Sequence, residues 1–204
     1  GSQWGWDRVR ELFLRMEGNT ALSGEHHNTD GPLSVSDLRS VNPMSRAFVD
    51  AGLQCQFPLN RDFNGARQEG VGTYQVTQRN GKRHSSARAF LDPVRHRKNL
   101  TIVTHAQVER VLFKNRHAVG VALKGRKIMV NSGGEVILSG GAINSPQLLM
   151  LSGIGPAQEL SRHGIDVVYD AAEVGENLAD HLDITVMSAA KGRKPIGIAP
   201  SFLP

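Results

Sequence analysis

The sequence predicts an α+β fold in which an antiparallel β meander is flanked by helices. Between residues 99 and 138 it is rich in Val, Ile and Leu, and turn signals divide it into lengths typical of strands. On either side of that stretch, apolar residues recur at helical spacing between residues that start and end helices. Hydrophobic residues make up 39% and charged residues 21% of the 204 positions, a composition typical of a globular protein rather than a disordered one.

Three helices are predicted before the meander. Residues 6–17 place apolar side chains at helical spacing behind an acidic first turn. A second helix begins with Asn42 as its N-cap and Pro43 in its first position, and we expect Gly52 to end it. A third, short helix is predicted over residues 85–91.

A glycine corner follows the last predicted strand of the meander. That strand, residues 135–138, leads into SGGA at residues 139–142, and an apolar helix is predicted from Ser145 onward. Glycines allow a backbone to approach a ligand closely, and a helix N-terminus presents free N–H groups, so contact with a phosphate or nucleotide is one interpretation. The other is that Gly140 and Gly141 only permit a tight connection. Without a GxGxxG motif in these residues, both interpretations stay open.

The C-terminal part contains one histidine between acidic residues. Asp180 and Asp183 flank His181, and carboxylates on both sides stabilise a charged imidazole. A polar site is one interpretation, and an exposed or interface histidine is the other. Ser152 could complete a Ser/His/Asp set with His181 and Asp183, but no GxSxG elbow surrounds it, so a hydrolase is not favoured.

Metal sites, disulfides and membrane spans are not expected. His26 and His27 are adjacent, but no further ligands stand at a supporting spacing, so a solvated loop is the interpretation we favour. Cys55 is the only cysteine, which excludes an internal disulfide or a CxxC site and favours a reducing, cytoplasmic compartment. No apolar run approaches the roughly 20 residues that span a bilayer.

The charge pattern gives a rival hypothesis of a different class. The net charge is +5, which permits an anionic ligand, so a non-catalytic module that binds such a ligand or a nucleic acid is the alternative. The basic groups lie at residues 79–83, 95–98 and 191–194, apart from one another, and aromatic residues make up only 5% of the chain. Solvated turns explain these groups better, and no nucleic-acid partner is expected.

Residues 141–155 have the sequence GAINSPQLLMLSGIG, and this run resembles the second signature of the glucose-methanol-choline (GMC) oxidoreductases. Four other blocks resemble the family in the same order along the chain. They are GWDRVRELFLRMEGN, DFNGARQEGVGTYQVTQRNGKRHSSARAFLDP, NLTIVTHAQVERVLF and VGENLADHLDI. Because these blocks cover most of the chain, the sequence resembles a central fragment of an FAD-dependent alcohol or choline dehydrogenase of this family.

The resemblance implies a division of the chain between two domains. Residues 1–31 correspond to a lid or connecting segment, residues 32–92 to part of the substrate-binding domain, and residues 93–172 to part of the FAD-binding domain. Residues 173–204 correspond to the start of a second substrate-domain part. Neither the N-terminal GxGxxG of the family nor its C-terminal catalytic pair is found in these residues, so we expect the chain by itself neither to bind FAD tightly nor to turn over.

The resemblance also implies roles for individual residues. The expected cofactor contacts are Val108, through its backbone at the adenine, and Gly140, Gly141 and Ala142 near the nucleotide. His181 takes the position of a catalytic histidine near the active site. Asp183 is the nearest candidate for contact with a cationic substrate head.

The activity that the resemblance implies is oxidation of a primary alcohol, an aliphatic alcohol or choline, to the aldehyde by hydride transfer to flavin. Oxygen and a membrane quinone both stay open as electron acceptors. A cytoplasmic location, or one peripheral to the inner membrane, is expected. The resemblance leaves self-association into a homo-oligomer open.

Overall fold

The computed structural model describes residues 4–184, which form two compact units, residues 4–102 and 103–184. The basic group at residues 191–194 and much of the segment 173–204 lie outside the described residues. No helix among the described residues is long and apolar enough to cross a membrane.

The first unit combines helices with short paired strands. Helix α1, Trp6–Met16, confirms the first predicted helix and continues directly into strand β1, Glu17–Asn19. β1 pairs in parallel with β2, Leu33–Val35. Strands β3, Gln78–Arg79, and β4, Lys82–Arg83, form a two-residue antiparallel pair.

Helix α2, Pro43–Gln54, starts as predicted and ends later than predicted. The Asn42 side chain accepts a hydrogen bond from the Met44 N–H at 2.8 Å, which confirms the N-cap. Gly52 does not end the helix, since two further residues follow it. A Cβ atom at Gly52 would lie 3.0 Å from a methyl group of Val71, so this glycine serves close packing instead.

The short helix predicted over residues 85–91 forms only in irregular turns. A π-helical turn, Ala87–Leu91, is followed by a 3-10 turn, Asp92–Val94. Pro93 has no N–H to donate, so a regular α-helical ladder cannot continue through it.

The second unit contains a three-stranded antiparallel sheet in sequence order. Its strands are β5, Val108–Lys114, β6, His117–Leu123, and β7, Arg126–Met129. Asn115 and Arg116 between β5 and β6 have φ of 48° and 65°. Two left-handed residues are typical of the tight hairpin turns that match the twist of paired strands.

A βαβ arrangement follows the sheet. Helix α3, Gly141–Leu151, precedes strand β8, Ile154–Gly155, and helix α4, Ala157–Arg162, lies between β8 and strand β9, Tyr169–Asp170. β8 and β9 pair in parallel. The buried apolar side chains of the second unit are Val111, Ala122, Leu123 and Leu160.

Regular strand pairing covers less of the chain than the sequence predicts. Residues 99–107 and 135–138 have no regular structure, and Ile137 is 82% exposed. β-Branched residues favour a strand when a neighbouring strand and a packed face are present. Within the described residues neither segment has a strand beside it, so the sheet is restricted to residues 108–129.

A partly buried ion cluster joins three separate segments of the first unit. His27 is 8% exposed, and its Nδ1 lies 2.9 Å from the Glu17 carboxylate. Its Nε2 lies 3.0 Å from the Asp62 carboxylate. Asn19 is also buried and donates from Nδ2 to Glu17 at 2.8 Å and to Gln75 at 2.7 Å. This cluster, which we call the His27 cluster, connects β1 to two loops.

The interpretation of His26 and His27 as a solvated loop is therefore wrong for His27. Its carboxylate partners are 10 and 35 residues away in sequence. Local polarity of the loop gave no indication of them. In the part of the chain that the structure describes, no set of residues has the arrangement of a metal site.

The two carboxylates stabilise the charged form of the imidazole. Burial by itself lowers the pKa of His27, but the hydrogen bonds to Glu17 and Asp62, together with their charges, outweigh it and raise this pKa above its ordinary value of 6.5. A group whose pKa is higher in the folded state contributes stability below its unfolded pKa. That contribution is lost as the pH rises through the folded-state pKa.

The free energy of unfolding should therefore fall as the pH rises above about 6.5. His27→Gln removes the cation and leaves two carboxylates without their shared partner. We expect it to cost about 2 kcal/mol at pH 6, less than a fully buried pair would, since the side chains of Glu17 and Asp62 are 18% and 31% exposed. Urea denaturation of the chain across this pH range measures both effects.

His96→Gln is the matched control, because His96 is exposed in the same unit. It should change neither the stability at pH 6 nor its pH dependence. A wild-type pH dependence that persists unchanged in His27→Gln would contradict the role of the His27 cluster.

Candidate nucleotide-binding cleft

A cleft of about 490 Å³ opens between the start of β5 and one face of α3, along which it reaches Leu151 at the end of the helix. Val108 and Val121 line it from the sheet, and Leu148 and Leu151 line it from the helix. Gly140 lies at one end. No described residue that lines the cleft is charged. An uncharged cleft of this size, with both apolar and polar side chains in its walls, suits the uncharged part of a small ligand.

The glycine corner forms a bend at the end of this cleft. Residues 136–138 form a third wall, and the bend at residues 139–142 connects that wall to α3. Gly141 has φ of 84°, a left-handed conformation that only glycine adopts at low cost. The Gly140 N–H donates to Ser145 Oγ at 2.9 Å, which closes the bend.

Of the four residues expected to contact the cofactor, two line the cleft and two do not. Val108 and Gly140 line the cleft together, although they are 32 residues apart in the sequence. Gly141 and Ala142 follow Gly140 as the first two residues of α3 and are exposed, but they do not line the cleft. Apart from the adjoining residues and the backbone of its own helical turn, nothing lies within 4 Å of a Cβ atom at Gly141, so the space beside it is open.

Helix α3 begins four residues before its predicted start at Ser145. Pro146 consequently lies inside the helix, in its second turn. At that depth a proline removes the N–H that would bond to the carbonyl of Ala142, and its ring crowds that carbonyl. The earlier start places the first helical turn directly at the bend.

Ser152 connects the end of α3 to the sheet. The side chain is buried, and its hydroxyl accepts a hydrogen bond from the Val111 N–H of β5 at 2.8 Å. The same hydroxyl donates to the Leu148 carbonyl one turn back in the helix. Both hydrogen-bonding capacities are used by the backbone, so Ser152 has a structural role and not that of a nucleophile.

Gly153 extends this connection to β9. Its φ is 86°, and a Cβ atom there would lie 2.3 Å from the Asp166 carbonyl oxygen. The Gly153 carbonyl accepts hydrogen bonds from the N–H groups of Val168 and Tyr169 at 2.8 and 3.1 Å. Only glycine fits this position, because both the left-handed conformation and the close backbone exclude a side chain.

The structure does not bring His181 and Asp183 to the cleft. Both are exposed, in an extended segment without regular structure. The His181 N–H bonds to the Asp180 side chain at 2.8 Å. Neither residue lines the cleft, and the described residues give the His181 ring and the Asp183 carboxylate no hydrogen-bond partner. The Ser/His/Asp set considered from the sequence is therefore not assembled here.

A family model described as GMC oxidoreductase matches residues 1–183. Among curated relatives, an alcohol dehydrogenase (acceptor) of Pseudomonas putida is 54% identical over 209 residues, which cover 100% of this chain and 38% of that protein. The mitochondrial choline dehydrogenase of Homo sapiens is 44% identical over 189 residues, covering 91% of this chain and 32% of that protein. The chain thus spans less than two fifths of the length of these relatives.

Two solved structures of oxidases superpose on this chain. Pyridoxine 4-oxidase from Mesorbium loti superposes with a TM-score of 0.76 at 31% identity, over 85% of this chain and 35% of that one. A formate oxidase superposes with a TM-score of 0.75 at 30% identity, over 88% of this chain and 33% of that one.

Ser152→Ala should destabilise the second unit. The substitution leaves the Val111 N–H buried without an acceptor, which costs about 1–3 kcal/mol. Chemical denaturation of wild type and variant at one pH measures the difference. The control is Ser161→Ala on the exposed side of α4, which should stay within about 0.5 kcal/mol of wild type. Equal effects of the two substitutions would contradict the structural role of Ser152.

Proposed function

Because the chain belongs to the GMC oxidoreductase family, we propose that it forms part of an FAD-dependent enzyme that oxidises a primary alcohol, aliphatic or choline, to its aldehyde. The similarity to an alcohol dehydrogenase and to choline dehydrogenases supports this substrate class. The structural observation that carries the proposal is the cleft between Val108 and the glycine bend. In this proposal FAD, when bound, supplies the redox chemistry by accepting hydride from the alcohol carbon.

The cleft suits the adenosine part of FAD. Its walls are uncharged and combine apolar with polar side chains, its volume is about 490 Å³, and the chain leaves the space beside Gly141 open. In this proposal the backbone of Val108 would contact the adenine, and the backbone from Gly140 to Ala142 would lie near the nucleotide. The residues therefore bind and orient the cofactor rather than react with it.

The polar residues after β9 have the active-site roles in this proposal. His181 lies near the reacting atoms, and Asp183 contacts the substrate, with the cationic head of choline as the ligand that best matches a carboxylate. Their exposure among the described residues is compatible with contacts outside this part of the chain. Residues 93–172 serve the cofactor and residues 32–92 serve the substrate.

The same observations do not support the rival hypothesis of an anion-binding or nucleic-acid-binding module. Such a site needs clustered Lys and Arg side chains, whereas the described residues that line the cleft are uncharged. We propose a small-molecule partner and a location in the cytoplasm, or peripheral to the inner membrane. Either oxygen or a quinone accepts the electrons in this proposal.

The protein expressed from the complete reading frame should contain flavin and reduce an artificial electron acceptor when an aliphatic alcohol or choline is added. Gly141→Ala should lower its affinity for FAD by about tenfold, because in this proposal the added methyl group would enter the open space beside the bend that the nucleotide needs. Flavin absorbance per protein and a titration of the apoprotein with FAD measure this.

Gly125→Ala is the matched control, since Gly125 also has a left-handed φ, 75°, and an open Cβ position, but lies in the turn between β6 and β7. It has a similar backbone cost and should keep the flavin. A complete protein that is purified without flavin and is inert toward alcohols would disprove the proposed function. Equal flavin loss in both variants would contradict the proposed role of the bend in binding FAD.

A further inference from the structure

Three carboxamide side chains line the cleft. Gln107 lies immediately before β5, and Asn144 and Gln147 lie on α3. In the described part of the chain none of the three side chains has a hydrogen-bond partner. All three residues are exposed, and an exposed carboxamide at an uncharged cleft can both donate to and accept from a ligand.

The helix presents two kinds of group to the cleft. Asn144, Gln147, Leu148 and Leu151 follow the spacing i, i+3, i+4 and i+7, so they share one face of α3. The two leucines form an apolar surface for the flat face of a base. The carboxamides lie on the same face, closer to the bend, where they can meet the polar edge of that base.

We propose that the carboxamides of Gln107 and Gln147 recognise the edge of the adenine base and make the cleft selective for adenine nucleosides. The inference rests on the proposed function, because it assigns specificity within the same cleft. It adds side-chain recognition to the backbone contact expected at Val108. Gln107 approaches from the strand side and Gln147 from the helix side.

The chemistry of the two partners matches. A carboxamide presents one donor group and one acceptor, and adenine presents its N6 amino donor beside the N1 or N7 acceptor. Because the cleft is uncharged, charge contributes little to selection, and the hydrogen-bonding pattern of the base decides. A site built to bond an amino group rejects an analogue that lacks it, since the carboxamide oxygen would stay unpaired.

The 204-residue chain, titrated with adenosine as the probe, tests this directly. We expect the side-chain amide NMR signals of Gln107 and Gln147 to shift, and purine riboside, which lacks the N6 amino group, to bind about tenfold more weakly. Gln107→Leu should weaken adenosine binding by about tenfold and reduce the preference over purine riboside. Gln158→Leu is the control, because it makes the same change at an exposed position of α4 outside the cleft.

Other outcomes overturn the inference. It is wrong if adenosine does not bind, if wild type binds both nucleosides equally, or if Gln107→Leu binds adenosine as wild type does. Should Gln107→Leu fail to fold, Gln147→Leu and the wild-type amide shifts decide in its place. A complete protein without flavin or alcohol oxidation would sink the proposed function alone if the chain still selects adenosine. Loss of that selection in a flavin-containing, active protein would sink only this inference.

Discussion

The hydroxyl of Ser152 fixes the end of α3 on β5, and the geometry of the cleft depends on this contact. It pairs with the Val111 N–H on the sheet and with the Leu148 carbonyl on the helix, so it positions the two walls relative to each other. Because Ser152 is buried, water does not compete for these bonds. Leu148 itself lines the cleft. The residue whose carbonyl bonds to Ser152 therefore also contributes its side chain to one wall.

The first unit depends on a different kind of constraint. Its paired strands are two or three residues long, so sheet hydrogen bonds contribute little to holding its loops. The His27 cluster replaces them by joining β1 to two loops through charges and carboxamides. A second buried histidine acts in the same unit, since His84 Nδ1 accepts the Ser34 N–H of β2 at 3.0 Å. Among residues 4–102, Ala89 is the one buried hydrophobic side chain, so buried polar contacts define much of this part of the chain.

Local patterns in the sequence were sufficient for several elements. Amphipathic spacing predicted α1, the Asn42 cap predicted the start of α2, and the Asn115-Arg116 turn was predicted between β5 and β6. Each depends on contacts within a few residues. The glycine corner was also recognisable, because a left-handed residue at a strand-to-helix bend is a local requirement.

The features that the sequence did not predict depend on distant partners. The burial of His27 requires Glu17 and Asp62, and the role of Ser152 requires Val111, 41 residues away. The segment 135–138 has strand composition, but a strand also needs a neighbour, which composition does not reveal. The positions of His181 and Asp183 near a substrate came only from the family resemblance, and they stay a prediction.

The run GAINSPQLLMLSGIG connects the glycine bend to the Ser152 contact through a single helix. Its first glycine forms the bend, and its Ser-Gly pair anchors the far end through β5 and β9. The 11-residue helix between them is about 16 Å long at 1.5 Å per residue. Each residue added to such a helix would turn the bend by about 100° relative to the anchor and move Asn144 and Gln147 off the face that lines the cleft. The length of the run is thus as important as its glycines, because a rigid helix transmits the position of the anchor to the bend.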